Sequence, residues 1–249
     1  MSARPPIGVE YSPTPYQRSH SPPQRTGKDY LAYRPCLRLE SSFRCIYCLA
    51  HESEVAKGRE FGGFEVEHFR PKESFGWLRT SFSNLFWCCP DCNRSKGDKW
   101  PNATEVAEGF RFLDPTLEAY GPHLQIVEEL VVWASDAGEF TKDEVNLNSP
   151  VHQERRRDRA KRAKRIAALE LLIAGAWARQ PLPGSFSASE IATIQTELDQ
   201  IYATFARPTD TPTQCFCAGK VPRRLPRVRT RRARKAANAA LVKGKPKSP

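Results

Sequence analysis

No apolar run in this 249-residue chain approaches the length that a membrane-spanning helix needs. Its N-terminus, MSARPPIGVEYSPTPYQRSHSPPQRTG, also lacks the unbroken apolar segment of a secretory signal, carrying prolines and charges instead. Together these absences predict a cytoplasmic protein with no membrane partner. Large aliphatic residues are scarce in residues 1–35, which hold seven prolines, so that stretch is expected to be a disordered or extended arm that orders from about Tyr30. Acidic residues are absent from Lys220 onward, where twelve Lys and Arg stand. The net charge of +11 is therefore a property of the tail, since residues 1–219 hold 27 bases against 28 acids. Lys220–Lys247 has too little apolar material to fold alone and is expected to attract the phosphates of DNA by counterion release, without base specificity. A merely solubilising end is the other reading of the same residues.

Hydrophobic residues make up 39% of the chain, enough for one core and a smaller second one. Eight cysteines would suit a secreted disulfide framework, but four of them form two Cys-x-x-Cys pairs, Cys45/Cys48 and Cys89/Cys92. In an intracellular chain such pairs read as the four thiolates of a tetrahedral zinc site. The 40 residues between the pairs exceed the spacing of a compact zinc ribbon, so the site must house an insertion. Cys88 is expected to be a buried thiol, because Cys89 and Cys92 keep the two-residue gap. His51, three residues past Cys48, is expected to be an ordinary polar residue.

Inside the insertion, FGGFEVEHFRP has a Gly-Gly break, then Phe64, Val66 and His68 at alternate positions, and Pro71 closing the run. One strand ending near His68 follows. SFSNLFWC (81–88) suits a paired strand or a covering loop, and CPDCNRSKGDKWP a short turn or helix that Pro101 stops.

Taken together, C-x2-C, E-H-F-R-P, N-L and C-P-D-C-N-x-x-K resemble the HNH endonuclease family. They stand here as Cys45/Cys48, Glu67/His68/Pro71, Asn84/Leu85 and Cys89/Cys92/Asn93/Lys96. The resemblance covers about 60 residues and implies an α+β core, a zinc-stapled two-stranded hairpin plus one helix (ββα-metal) around a catalytic ion. Asn93 replaces the last histidine of the family name and keeps a metal-capable side chain. HFRPK, CNRSKGDKWP, FLDP and the NLN that runs into an arginine-rich helix further resemble the HNH nuclease subunits of Septu-type and retron-linked anti-phage systems. That likeness implies an ATPase partner subunit and a role as a defence effector.

Phosphodiester hydrolysis needs a base for water and a cation against the charge on phosphorus and the leaving oxygen. On the family pattern His68 is the general base, and Glu67 with Asn93 hold a Mg²⁺ or Mn²⁺ ion, hard cations that accept few protein ligands. Strand alternation puts Glu67 and His68 on opposite faces, so this assignment asks for a bend before Pro71. Asn84 takes the middle family position, where its amide is expected to brace the loop that holds His68. Lys96, with Arg70 and Lys72, is expected near the phosphates.

FRFLDP (110–115) is expected to finish the core, and HLQIVEELVVWAS with GEFTKDEVNLN to form a hairpin or meander at its edge. Ser149-Pro150 starts a helix predicted to reach about Arg179. Arg155–Arg165 on it holds eight bases against one acid and is expected to touch DNA, the other reading being a solvated face balanced by acids elsewhere, while Ile166, Leu169, Ile173 and Trp177 pack. A second helix opens at Ser187 and Glu190, in capping-box spacing, with Ile191, Ile194, Leu198, Ile201 and Phe205 on one face. The expected division is a 1–35 arm, a 36–115 nuclease domain, a 116–208 β segment with helical hairpin, and a 209–249 tail. Cys215 and Cys217 are expected to be free thiols. Set against a metal-dependent DNA endonuclease are a zinc-stapled nucleic-acid-binding module without catalysis and an HNH nuclease acting on RNA.

Overall fold

The computed structural model describes residues 10–26, 29–55, 63–179, 186–206 and 217. The expected polyanion-binding tail, Lys220–Lys247, lies outside the described residues. No described helix is long and apolar enough to cross a membrane.

The centre is an antiparallel pair of short strands, β1 (Glu65–His68) and β2 (Leu85–Cys88), with Glu65 opposite Cys88 and His68 opposite Leu85. All four β2 residues are buried, because elements cover both faces of the hairpin. α1 (Arg34–Glu40) packs on β2, and α3 (Pro90–Lys96) packs on β1. α3 begins where Cys89 caps it, its sulfur accepting from Cys92 N. Pro90 occupies a first-turn position that needs no amide donor. Gly97, at φ 51°, stops it. Arg38 of α1 is fully buried and grips Glu52 of α2 (Glu52–Val55) through two hydrogen bonds of 2.8 and 2.6 Å. Trp87 Nε1 donates to the same carboxylate at 2.7 Å, which ties β2 to the segment after the first cysteine pair.

The arm is not loose where it is described. Tyr11 is buried, and Tyr16 N donates to the Pro115 carbonyl at 2.6 Å. Arg18 lies over the Phe86 ring, donates to the Leu85 carbonyl at 2.7 Å and pairs with Glu40 at 2.8 Å. An extended chain without a core of its own can order against another surface whose free carbonyl and carboxylate groups it satisfies. Of the two expectations for the arm, residues 10–26 follow the extended one.

After α4 (Ala103–Ala107), held by an Asn102–Glu105 capping box, come β3 (Leu124–Val127) and β4 (Leu130–Trp133), a hairpin turned through Glu128 at φ 57°. GEFTKDE, expected to continue that hairpin or meander, is instead helix α5 (Asp136–Glu144). Ser135 caps it by accepting from Gly138 N, and Ala137 and Thr141, four apart, face inward.

α6 (Pro150–Arg179) and α7 (Ala188–Ala206) form a helical hairpin around Ile166, Leu169, Leu198 and Phe205. The Trp177 side chain lies outside the described ones. The basic half of α6 does not stand away from the body as a DNA-facing ridge. Arg159 and Arg162 both reach Glu54 at 2.9 Å, Arg155 reaches Asp91 at 2.7 Å, and Arg156 donates to the Glu129 and Leu147 carbonyls at 2.5 and 2.8 Å. Arg165 pairs with Glu197 on α7 at 2.5 Å. Buried carbonyl and carboxylate groups on the core outcompete solvent for one helix face, which corrects the expectation for Arg155–Arg165; Lys161 and Lys164 remain exposed. The boundary expected at residue 115 is accordingly crossed by ion pairs. Removing the Glu54 carboxylate strands Arg159, whose side chain is 5% exposed, without its counter-ion. Glu54→Ala is expected to lower unfolding free energy by about 3–5 kcal/mol, read from the urea midpoint.

Candidate active site

The four cysteines that could hold a metal come from a tight turn and from the cap and first turn of α3. Leu49, at φ 60°, closes the tight turn by donating to the Cys45 carbonyl at 3.1 Å, and Cys45 N donates to Ala50 O at 2.9 Å. Ile46 N donates to the Trp87 carbonyl at 2.9 Å, which holds that turn beside the cap of α3. The sulfurs of Cys45, Cys48, Cys89 and Cys92 consequently lie within 4.8 Å of one another, all buried. Cys48 and Cys89 are 3.6 Å apart. Thiolates at about 2.3 Å from a tetrahedral zinc stand about 3.8 Å from each other, so this donor set fits the ion. Burial raises the Cys48 pKa, yet its contacts with Cys45 and Cys92 outweigh that and bring it to about 6, in the direction that ligation needs.

Cys88 lies outside this set. Its sulfur stands 3.8 Å from Cys45 and donates to the Cys89 carbonyl at 3.4 Å, and burial pushes its thiol pKa well up. His51 is turned away, bonded to Ser53 Oγ at 2.8 Å and packed on Phe43 and Phe205; burial lowers its pKa to about 4. A residue 60 positions downstream joins the cluster instead. His152, near the start of α6, places Nε2 3.4 Å from Cys92 Sγ. Burial lowers its pKa, but the surrounding cysteines outweigh burial and the net shift is upward, as suits an N–H that donates to a metal-bound sulfur.

On the other side of α3, strand and helix periodicities meet. Glu65 and Glu67 share one face of β1, and Asn93 and Lys96, three apart, share one face of α3. Two pairs result. Asn93 Nδ2 donates to Glu65 Oε2 at 2.5 Å near the surface, while one step inward Lys96 Nζ lies 2.7 Å from Glu67 Oε1. Tyr47 OH donates to Glu67 at 3.3 Å, and Lys96 Nζ donates to the His68 carbonyl at 3.1 Å. Burial raises the Glu67 pKa to about 6, exceeding the opposing pull of the Lys96 ammonium.

His68 ends the strand in regular register. Its ring meets Tyr30 edge-on at 4.7 Å, and Nε2 lies 3.0 Å from the Arg79 carbonyl. A carbonyl only accepts, so Nε2 carries the proton and Nδ1 keeps its lone pair. Burial lowers the His68 pKa, against the pull of that carbonyl, so the imidazole is neutral near pH 7. Asn84 sits buried behind the loop; its Oδ1 accepts from Arg70 N at 2.9 Å and its Nδ2 donates to Arg70 O at 3.0 Å. With Phe69 N donating to Asn84 O at 2.9 Å, the two residues after His68 are clamped to the start of β2.

The HNH endonuclease family model matches residues 45–99, the segment holding both cysteine pairs, β1, β2 and α3. Residues 45–99 are an HNH endonuclease domain. The chain is also similar to a Septu protein PtuB of Bacillus thuringiensis, 28% identical over 122 residues, which are 49% of this chain and 42% of that protein. It thus spans less than half the length of that relative. No solved structure matches.

Within the HNH domain the geometry departs from two expectations. Lys96 is fully buried, so its ammonium neutralises Glu67 and does not reach toward a phosphate. Pairing through His68↔Leu85 keeps the strand regular to its last residue, so Glu67 faces α3 while the His68 ring faces Tyr30 and Arg79, without the bend that a shared ion would require. Asn93 meets Glu65, a carboxylate that the i, i+2 rule applied to Glu67 would have flagged. Nothing in the linear spacing pointed to Tyr30, Tyr47, Arg79 or His152, which arrive from other segments.

Proposed function

We propose that this chain is a metal-dependent endonuclease that hydrolyses DNA phosphodiester bonds, with a structural zinc on Cys45, Cys48, Cys89 and Cys92. His68 is the general base. A Mg²⁺ or Mn²⁺ ion is held by Asn93 and Glu65 at the accessible end of the contact between β1 and α3, while Glu67, its charge taken by Lys96, stands behind them. The match of residues 45–99 to the HNH family carries this reading, and the placement of a neutral histidine at the end of β1 supports it. With Asn93 Nδ2 donating to Glu65 Oε2, the amide oxygen of Asn93 and the carboxylate of Glu65, both side chains partly open to solvent, fit a hard divalent ion. Such an ion supplies positive charge against the developing charge on the phosphate and the leaving 3′ oxygen.

The protein's own groups do the rest. Arg79 holds the His68 tautomer so that Nδ1 takes a proton from water. Asn84 fixes the loop through Arg70, and Lys96 steadies the strand end through the His68 carbonyl. Similarity to a Septu protein supports a role in anti-phage defence; an ATPase partner subunit and a cytoplasmic location complete the reading.

The test is cleavage of supercoiled plasmid and of structured RNA with Mg²⁺ or Mn²⁺, with and without the candidate ATPase. Divalent-dependent nicking or linearisation of DNA is expected. Cleavage of RNA alone would replace the substrate, and retention of DNA on gels without cleavage in any arm would make the chain a binding module. Glu65→Gln is expected to raise the Mn²⁺ concentration for half-maximal cleavage by about 10-fold or more at unchanged melting temperature. Glu67→Gln is expected also to destabilise, by about 3 kcal/mol, because the buried Lys96 loses its counter-charge. Equal metal dependence in the Glu65 variant and the wild type would remove Glu65 from the ion site.

A further inference from the structure

We propose a second metal site, built by His20, Cys36 and Cys217, that takes Zn²⁺ or another soft divalent ion. These residues come from three remote parts of the chain: the arm, α1, and the described residue beyond α7. Their donor atoms nevertheless lie within 4.8 Å of one another. Cys36 Sγ is 3.8 Å from Cys217 Sγ, and Cys217 Sγ is 3.3 Å from His20 Nδ1. Two thiolates and an imidazole around a tetrahedral zinc, with ligand distances of about 2.3 and 2.1 Å, stand about 3.8 Å sulfur to sulfur and about 3.6 Å sulfur to nitrogen. The sulfur–sulfur edge matches that figure, and the sulfur–nitrogen edge is a few tenths of an ångström shorter.

The site is held from behind. Cys36 is fully buried in α1, where it cannot turn to solvent. His20 is anchored through its backbone: Ser19 N and His20 N both donate to Glu40 Oε1, at 2.7 and 3.2 Å, and Glu40 also receives Arg18 at 2.8 Å. Sulfur and imidazole donors select zinc over the hard ions proposed for the nuclease centre. Three protein ligands leave one tetrahedral position for water or a further donor. In the sequence Cys215 stands two residues before Cys217, outside the described residues.

Such an ion explains why an arm without a hydrophobic core of its own and a cysteine 181 positions from its partner converge on one helix. Chain closure over that separation is entropically costly, and a metal bond offsets it as a disulfide would. The inference does not rest on the nuclease reading, and its readout is metal content.

The test uses the full chain purified under reducing conditions without added metal, with zinc counted by mass spectrometry after exhaustive buffer exchange. The wild type is expected to hold about two zinc ions per chain, one for each thiolate-rich site. Cys217→Ser and His20→Gln, changes at positions that are not fully buried, are each expected to hold about one, with unchanged circular dichroism. Cobalt-substituted wild type should show thiolate-to-cobalt charge transfer that falls in proportion in Cys217→Ser. Two zinc ions retained in both variants, one zinc ion in the wild type, or a Cys36–Cys217 disulfide in the protein as purified would each overturn the proposal.

Discussion

His68→Ala is expected to cut plasmid cleavage by about 10²–10⁴-fold while zinc content and melting temperature stay at wild-type values. The size follows from the role. On the proposed mechanism an alanine there removes the lone pair that takes a proton from water, and Glu67 does not replace it, being committed to Lys96 and Tyr47 on the opposite face of β1. Stability survives because the ring's contacts are an edge on Tyr30 and a bond to Arg79 O, while the strand end is held independently by Asn84 through Arg70 and by Lys96 through the His68 carbonyl. The pH profile carries the sign. His68 is lowered by burial from the ordinary imidazole value, so the neutral base is fully present at pH 7 and is lost only in acid. Wild-type cleavage is expected to fall only in acid, below the range where an ordinary imidazole titrates, and a variant with an altered base to lose that limb. Equal cleavage by wild type and His68→Ala would sink the assignment.

Cys48→Ser is expected to release zinc and to collapse the HNH domain instead of merely slowing it. Cys48 and Cys89 lie 41 residues apart, and on the proposed reading a zinc ion shared by them holds the first cysteine turn against the cap of α3. A structural zinc site contributes folding free energy outright, about 10–16 kcal/mol in isolated fingers. That is comparable with the total stability of an ordinary domain, about 5–15 kcal/mol. Even partial retention of structure through Arg38, Glu52 and Trp87 should leave the melting temperature more than about 10 °C lower. Mass spectrometry should find about one zinc ion fewer per chain, and near-ultraviolet dichroism should report loss of packing around Trp87. Full thermal stability in the serine variant would contradict the stapling argument. Because His152 donates to Cys92 from α6, the same variant should also loosen the helical hairpin, visible as faster amide exchange at the start of α6.

The corrected Arg155–Arg165 segment changes where nucleic acid is to be sought. Eight bases in eleven residues resemble a DNA ridge in sequence, but half of that charge is taken by Asp91, Glu54 and backbone carbonyls of the core. The loop that follows His68 instead carries Arg70, exposed above the Phe75 and Trp100 rings, and Trp77, which is 73% exposed. Charge counted along a helix says little about charge presented by it.

What could be read locally was read from spacing. Two Cys-x-x-Cys pairs, an alternating strand ending at a histidine, an asparagine before the second strand and a cysteine-capped, proline-started helix each report a periodicity or a turn, and those depend on neighbours in the chain. The HNH segment and the span of α6 belong to this class. The contacts that cross the chain were not legible. Arg159 finds Glu54 across 105 residues, and Arg18 finds Leu85 across 67. Asn93 takes Glu65 while Lys96 takes Glu67, a choice set by how deep each pair lies between β1 and α3. His20, Cys36 and Cys217 share no spacing pattern at all. The sequence by itself determined which chemistry is present, because residue types and short-range geometry suffice for that. Which carboxylate meets which amide, and which bases face outward, was decided only in the tertiary structure, where burial makes an unpaired charge too costly to leave and the nearest counter-charge, however distant in the chain, is recruited to it.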